Sequence, residues 1–196
     1  MIPRAVEIAY GLYGAWRLAR LDPAGMGFFD QSIEGFWKSF FAAVLVAPAH
    51  VLIFLLQLAE LKVSAGPLRI AAVESLIYVI SWLAFPFVMF YLAQTLGRAR
   101  EYRGFVVAYN WAQVIQLLLV LPVSLVVAGG WLPDPIAYLL YIGMLAAVLG
   151  YEWFIARTAL TLSGSGAAGV VALAFVLAAT ANRFGLAMIG ATAVQS

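Results

Sequence analysis

The chain contains no cysteine, which excludes disulfides, CxxC redox pairs and thiolate metal sites. His50 is its one histidine. A metal centre or proton relay would need a second titratable ligand near it, and none is adjacent in sequence; His50 is therefore expected to be a hydrogen-bonded packing residue. Charge is also scarce. Charged residues make up 10% of the chain and hydrophobic ones 65%, whereas an average soluble domain has about 25% and about 45–50%. So little polar surface cannot cover a water-facing globule, and lipid is the expected solvent. No basic face with interleaved aromatics is present, so nucleic acid is not an expected partner. GxSxG, HExxH, Walker-type and GxGxxG signatures are missing too, and neither an enzyme nor a cofactor is expected.

What fills the 196 residues is hydrocarbon. A spanning helix needs about 20 apolar residues. Five segments qualify: Phe36–Leu58, Leu68–Leu96, Phe105–Ala128, Pro135–Thr158 and Gly166–Gly190. Turn chemistry separates them at "SAGP", "GRAREYRG", "GGWLPDP" and "SGSG". The expected fold is all-α, a polytopic membrane protein with five transmembrane helices and an N-terminal interfacial amphipathic helix. Residues 1–27 form the interfacial helix and its loop, and residues 28–196 the transmembrane domain. Pro48, Pro86 and Pro122 fall inside three successive spans, where each removes a backbone donor. Phe28, Phe29, Phe36, Trp37, Trp131 and Trp153 fall at span ends, as an interfacial aromatic belt requires.

Basic residues set the orientation, because cytoplasmic flanks collect them. With the N-terminus inside, Arg4, Arg17, Arg20, Lys38, Arg98, Arg100, Arg103 and Arg157 fall inside, and only Lys62 and Arg69 outside. Five crossings then carry the C-terminal "ATAVQS" outward. A bacterial inner membrane is the expected location. In the first helix Arg4, Glu7, Gly11, Gly14 and Arg17 recur every three or four residues as a narrow polar stripe on an otherwise apolar rod. Such a helix lies in the headgroup region, with Arg4, Arg17 and Arg20 as its basic contacts. It either packs under the bundle or acts on the membrane. Asp30 is placed to cap the helix that follows.

Within the spans, polar residues are the candidates for function. Arg183 lies about 25 Å from the inner end of the fifth segment, counting about 1.5 Å per residue. Glu152, in the neighbouring span, falls near the inner boundary, too far away to pair. Glu74 is nearly level with Arg183, and it shares a face with Tyr78 and Ser81. A Glu74–Arg183 pair, or an outer cavity that both line, is expected; the alternative is that Arg183 alone snorkels to the outer headgroups. Tyr109, Asn110, Gln113 and Gln116 form a polar stripe on the third span, with Glu152 at or just below their depth. Amide bonds between membrane helices stabilise by about 0.6–2 kcal/mol, so the stripe reads as structural glue or as a conduction path.

The segments "FDQSIEGFWKSFFAAVLVAP" (Phe29–Pro48) and "LGYEWFIARTAL" (Leu149–Leu160) look like parts of bacterial members of the Yip1 family. The whole chain resembles that family in hydropathy and topology: an N-terminal segment, five spans, short loops and almost nothing after the last. The DLYGP-type motif of the eukaryotic branch is absent. The resemblance implies a non-enzymatic membrane organiser or scaffold and carries over no functional residue. The expected partners are the lipid bilayer and either a membrane protein or further copies of this chain. Two alternatives are a small transporter or channel, with Glu74, Arg183, Asn110 and Gln113 along its route, and an accessory subunit of a membrane complex.

Overall fold

A computed structural model describes residues 2–193. Met1 and Val194–Ser196 lie outside the described residues, and with the latter goes half of the "ATAVQS" segment expected on the outer side. The chain opens with α1 (Ala5–Ala19), where the Glu7 carboxylate accepts the Arg4 backbone N–H at 2.6 Å and so satisfies one of the free donors that every helix start leaves. Leu21 takes a left-handed φ of 58° and turns the chain into the 3-10 segment Pro23–Phe28, which Asp22 caps by accepting the Ala24 N–H at 3.0 Å. Next comes α2 (Ile33–Ser39). Its cap is Ser32, which accepts from Gly35 N at 3.0 Å. Asp30, expected in that role, instead accepts the backbone N–H of Ser32 at 2.9 Å and holds the cap one step removed.

After one residue the chain continues as α3 (Phe41–Ala59), β1 (Leu61–Val63), α4 (Pro67–Thr95), α5 (Tyr102–Ala128), α6 (Asp134–Ala159), α7 (Gly164–Met188) and β2 (Ala191–Ala193). The five expected spans are all present as long apolar helices, the first including α2. The chain is therefore all-α and built to be an integral membrane protein. Pro48, Pro86 and Pro122 sit inside α3, α4 and α5, and none of them ends its helix. β1 and β2 pair antiparallel, Lys62 opposite Thr192, joining the far ends of α3 and α7.

α5 is the central post, packed by α1, α2, α3 and α6, while α7 lies against α4 and α6. The core is concentrated at the α1 end. Phe105, Val106, Val107, Ala108 and Trp111 of α5 are buried there with Met89 of α4, Ile155 of α6 and Leu18 of α1. Elsewhere Leu118, Leu119, Ile136 and Leu139 stand exposed, as lipid-facing side chains must.

The 19 residues of α3 make a rod about 28 Å long, close to the hydrocarbon thickness of a bilayer. With 29 and 27 residues, α4 and α5 are longer; the excess is about 12–15 Å. That excess falls at the α1 end, because Ser39, just before α3, bonds Asn110 in the third turn of α5. α1, the 3-10 segment and α2 form a collar around these projecting turns.

Of the two roles expected for residues 1–27, packing against the bundle has a structural counterpart: Ala15 and Leu18 share one core with Phe29, α5 and α6. The glycines of the stripe are turned inward. Gly11 and Gly14 are buried, and a Cβ at Gly11 would lie 2.5 Å from the Trp111 ring. Without side chains, α1 comes close to α5 at Gly11 and to Gly25 and Phe29 at Gly14, while Glu7 binds Lys38, so the stripe docks α1 on three neighbours.

Candidate functional site

Midway along α3, His50 meets Glu74 in the second turn of α4, with Nε2 and Oε1 2.7 Å apart. Both helices start from one short connection at the β1 end, so residues about equally far from it fall level. The His50 ring lies against Tyr78, centroids 4.6 Å apart. The Tyr78 hydroxyl donates to the Ala43 carbonyl at 2.6 Å, next to the Val44 carbonyl that Pro48 deprives of its helical donor. These two side-chain bonds bridge helices that otherwise stand apart.

The gap between α3 and α4 is a groove of about 620 Å³. Val51, Phe54, Leu55, Ile70 and Val79 form its walls, and His50, Glu74, Ser75 and Tyr78 its polar end. Behind the pair, on the bundle side, is a cavity of about 200 Å³ lined by Ser81, Tyr109, Asn110, Gln113 and Ala178. His50 and Tyr78 line both spaces. They are the partition between the groove and a smaller open recess, mostly apolar but carrying Ser81, Tyr109, Asn110 and Gln113.

Further toward the α1 end, the expected stripe divides in two. Asn110, 1% exposed, donates to Ser39 Oγ at 2.9 Å, and Ser39 donates onward to the Phe36 carbonyl at 2.7 Å. Gln116 donates to Glu152 at 3.4 Å. Gln113 lies beside both the Tyr109 hydroxyl and the Glu152 carboxylate. The polar groups thus run from Glu74, through His50 and the interior cavity, to Glu152.

Arg183 is absent from this set. Glu74 binds His50 where the Arg183 contact was expected, and no ion pair among the described residues includes Arg183. The reason lies in helical phase. Gly185 is the residue of α7 that packs on Ile77 of α4, and positions two apart on a helix point nearly opposite ways. Arg183 is accordingly exposed, its long stem free to reach polar surroundings.

The collar has its own electrostatics. Lys38 binds Glu7 at 2.9 Å. The Glu7 carboxyl is lowered from 4.5 to about 2, chiefly by the Lys38 hydrogen bond and then by the Arg4 backbone N–H. Arg17 donates to Asp22 at 2.6 Å and holds that carboxyl below its ordinary value, the Ala24 N–H adding to the effect. The Arg17 guanidinium lies 5.4 Å from the Phe28 ring, close enough for a cation–π contact. Tyr10, Tyr13 and Trp16 point outward with Val6, and Arg20 is exposed among them. Arg4 is exposed at the start of the helix and pairs with Glu7 at 3.2 Å.

Comparison with family models, with curated proteins and with solved structures finds no match. The functional reading therefore rests on the geometry and the sequence. Reading the sequence missed the His50–Glu74 pair because it paired Glu74 by depth from opposite bundle faces. Counting outward from the shared α3–α4 connection brings the two level, nine residues from Ala59 and seven from Pro67. No cluster of three or more potential metal ligands occurs among the described residues.

Proposed function

We propose that the chain is a non-enzymatic, Yip1-like membrane protein that organises anionic lipid around itself through α1, on the cytoplasmic side of a bacterial inner membrane. One observation carries this reading: α1 is fixed to α5 at Gly11, and it and its C-cap turn Tyr10, Tyr13, Trp16 and Arg20 outward, with the half-buried Arg17 held beside them by Asp22. Aromatic and basic side chains together favour the headgroup layer. A polar hollow between Tyr13, Trp16, Arg17, Arg20 and Asp22 continues past Trp16 into an apolar groove along Leu118, Leu119, Ala147 and Val148. That sequence of surfaces suits a phosphate head followed by an acyl chain.

The test is lipid analysis of the full chain reconstituted in discs of mixed anionic and zwitterionic phospholipid. The anionic lipid should be enriched around the protein, and Arg20→Glu should abolish the enrichment. Equal enrichment in Arg20→Glu overturns the reading. Arg20 is the residue to change because it is exposed, whereas deleting residues 1–27 would remove Leu18 and Ala15 from the core.

A second reading, a small transporter, is favoured by the polar path from Glu74 to Glu152. Ionisable groups inside spans are retained mainly where substrates, ions or protons pass.

A further inference from the structure

From the groove and the pair at its end, we propose that His50 and Glu74 form a one-proton site that exchanges its proton for a lipophilic cation taken from the bilayer. The proposal rests on the transporter reading for its biological use, and is independent of α1.

Position comes first. His50 is the tenth of the 19 residues of α3, so the pair lies near the middle of a rod that matches the hydrocarbon thickness. An isolated charge there is costly. At 2.7 Å, a carboxylate and an imidazolium sharing a hydrogen bond are neutral together. Removing the imidazolium proton leaves a single negative charge at mid-bilayer. Either a proton or another cation must cancel it.

Charge complementarity then selects the occupant. The titratable groups facing the pair are Tyr78 on α4 and, across the interior cavity, Tyr109 on α5; α7 contributes only Ala178 there. No Lys or Arg lines either space. The groove is open toward lipid, its walls are apolar, and its volume of about 620 Å³ is that of a site for a drug-sized molecule. A hydrated inorganic cation has no reason to enter through such walls. A hydrophobic phosphonium or ammonium does: its body fills the groove, its charge lies against Glu74, and the Tyr78 ring adds a cation–π face. On binding, the proton leaves His50 for water by way of the polar side chains of the recess, Ser81, Tyr109 and Gln113, and the charge at mid-span stays at zero.

The test uses tetraphenylphosphonium and the purified full chain in detergent, at low buffering with a pH indicator. Saturable binding with one proton released per cation bound is expected. Affinity should rise by about tenfold per pH unit while the pair holds its proton. Glu74→Gln, which keeps an oxygen acceptor for His50, should weaken binding at least tenfold. Val51→Trp, which fills the groove and leaves the pair intact, should do the same. Binding without proton release, or undiminished binding in either variant, overturns the site. Flux of the cation in proteoliposomes is measured separately, so that binding without flux removes the transporter reading while the site stands.

Discussion

The Tyr151 hydroxyl donates to the Ala15 carbonyl at 2.6 Å in a buried bond, fastening the first helix of the chain to the sixth. Ala15 lies in the last turns of α1, and its carbonyl, with two lone pairs, accepts this bond beside its helical donor. Tyr151→Phe keeps the ring and removes the donor. The loss is expected to be about 0.5–1.5 kcal/mol, read as a lower melting temperature in detergent and as faster hydrogen exchange confined to α1.

Gly11→Ala probes the same joint from the other side. The added methyl carbon would lie 2.5 Å from Trp111, a ring that is 4% exposed and has little room to yield. Overpacking of this kind costs about 1–3 kcal/mol. Protease cleavage within the first thirty residues should become faster, while the spans remain protected. Because both residues hold one interface, Gly11→Ala and Tyr151→Phe should combine non-additively.

Acid should loosen the collar. Glu7 is lowered from 4.5 to about 2 by the Lys38 hydrogen bond and by the Arg4 backbone, so its folded value is below its unfolded one. The stabilisation is complete above about pH 4.5 and is lost as pH falls toward about 2. Asp22, lowered chiefly by Arg17, acts in the same direction. Proteolytic protection of α1 should decline through that window. The decline should be reduced in Glu7→Gln and nearly absent when Asp22→Asn is added.

Asn110 and Gln113 lie one turn apart on α5 but in different roles. Asn110 is buried against Ser39, and Asn110→Ala should cost about 1–2 kcal/mol through the lost interhelical bond. Gln113 lines the recess and lies beside Tyr109 and Glu152 within a partly open polar set, so Gln113→Ala should cost less, about 0.5–1 kcal/mol. Thermal unfolding of the two variants in one detergent separates glue from lining.

The five rods were legible because hydrophobic length is a local property of sequence, and the structure places each expected span within a few residues. Relations between rods were less so. Arg183 and Glu74 are close in depth along the chain, yet phase on α7, fixed by Gly185 against Ile77, turns the arginine away. Phase is set by packing partners, which a depth count does not contain. Gly11 and Gly14 carry the same lesson. Their spacing was visible, but what a small-residue edge faces depends on its partners: Gly25 and Phe29 for Gly14, and for Gly11 Trp111, a hundred positions later in the chain. The Asn110–Gln113–Gln116 stripe was visible because all three lie on one helix. Its division between Ser39 and Glu152 required two further helices to be placed.

The shortness of α3 gives the molecule a preferred membrane. A stretch of about 28 Å sits comfortably in thin bilayers, whereas lipids with longer acyl tails must either compress around it or draw the collar down into their oily layer, each at a cost that grows with every ångström of mismatch. The fit of this one span ties the depth of the collar to the thickness of the surrounding sheet.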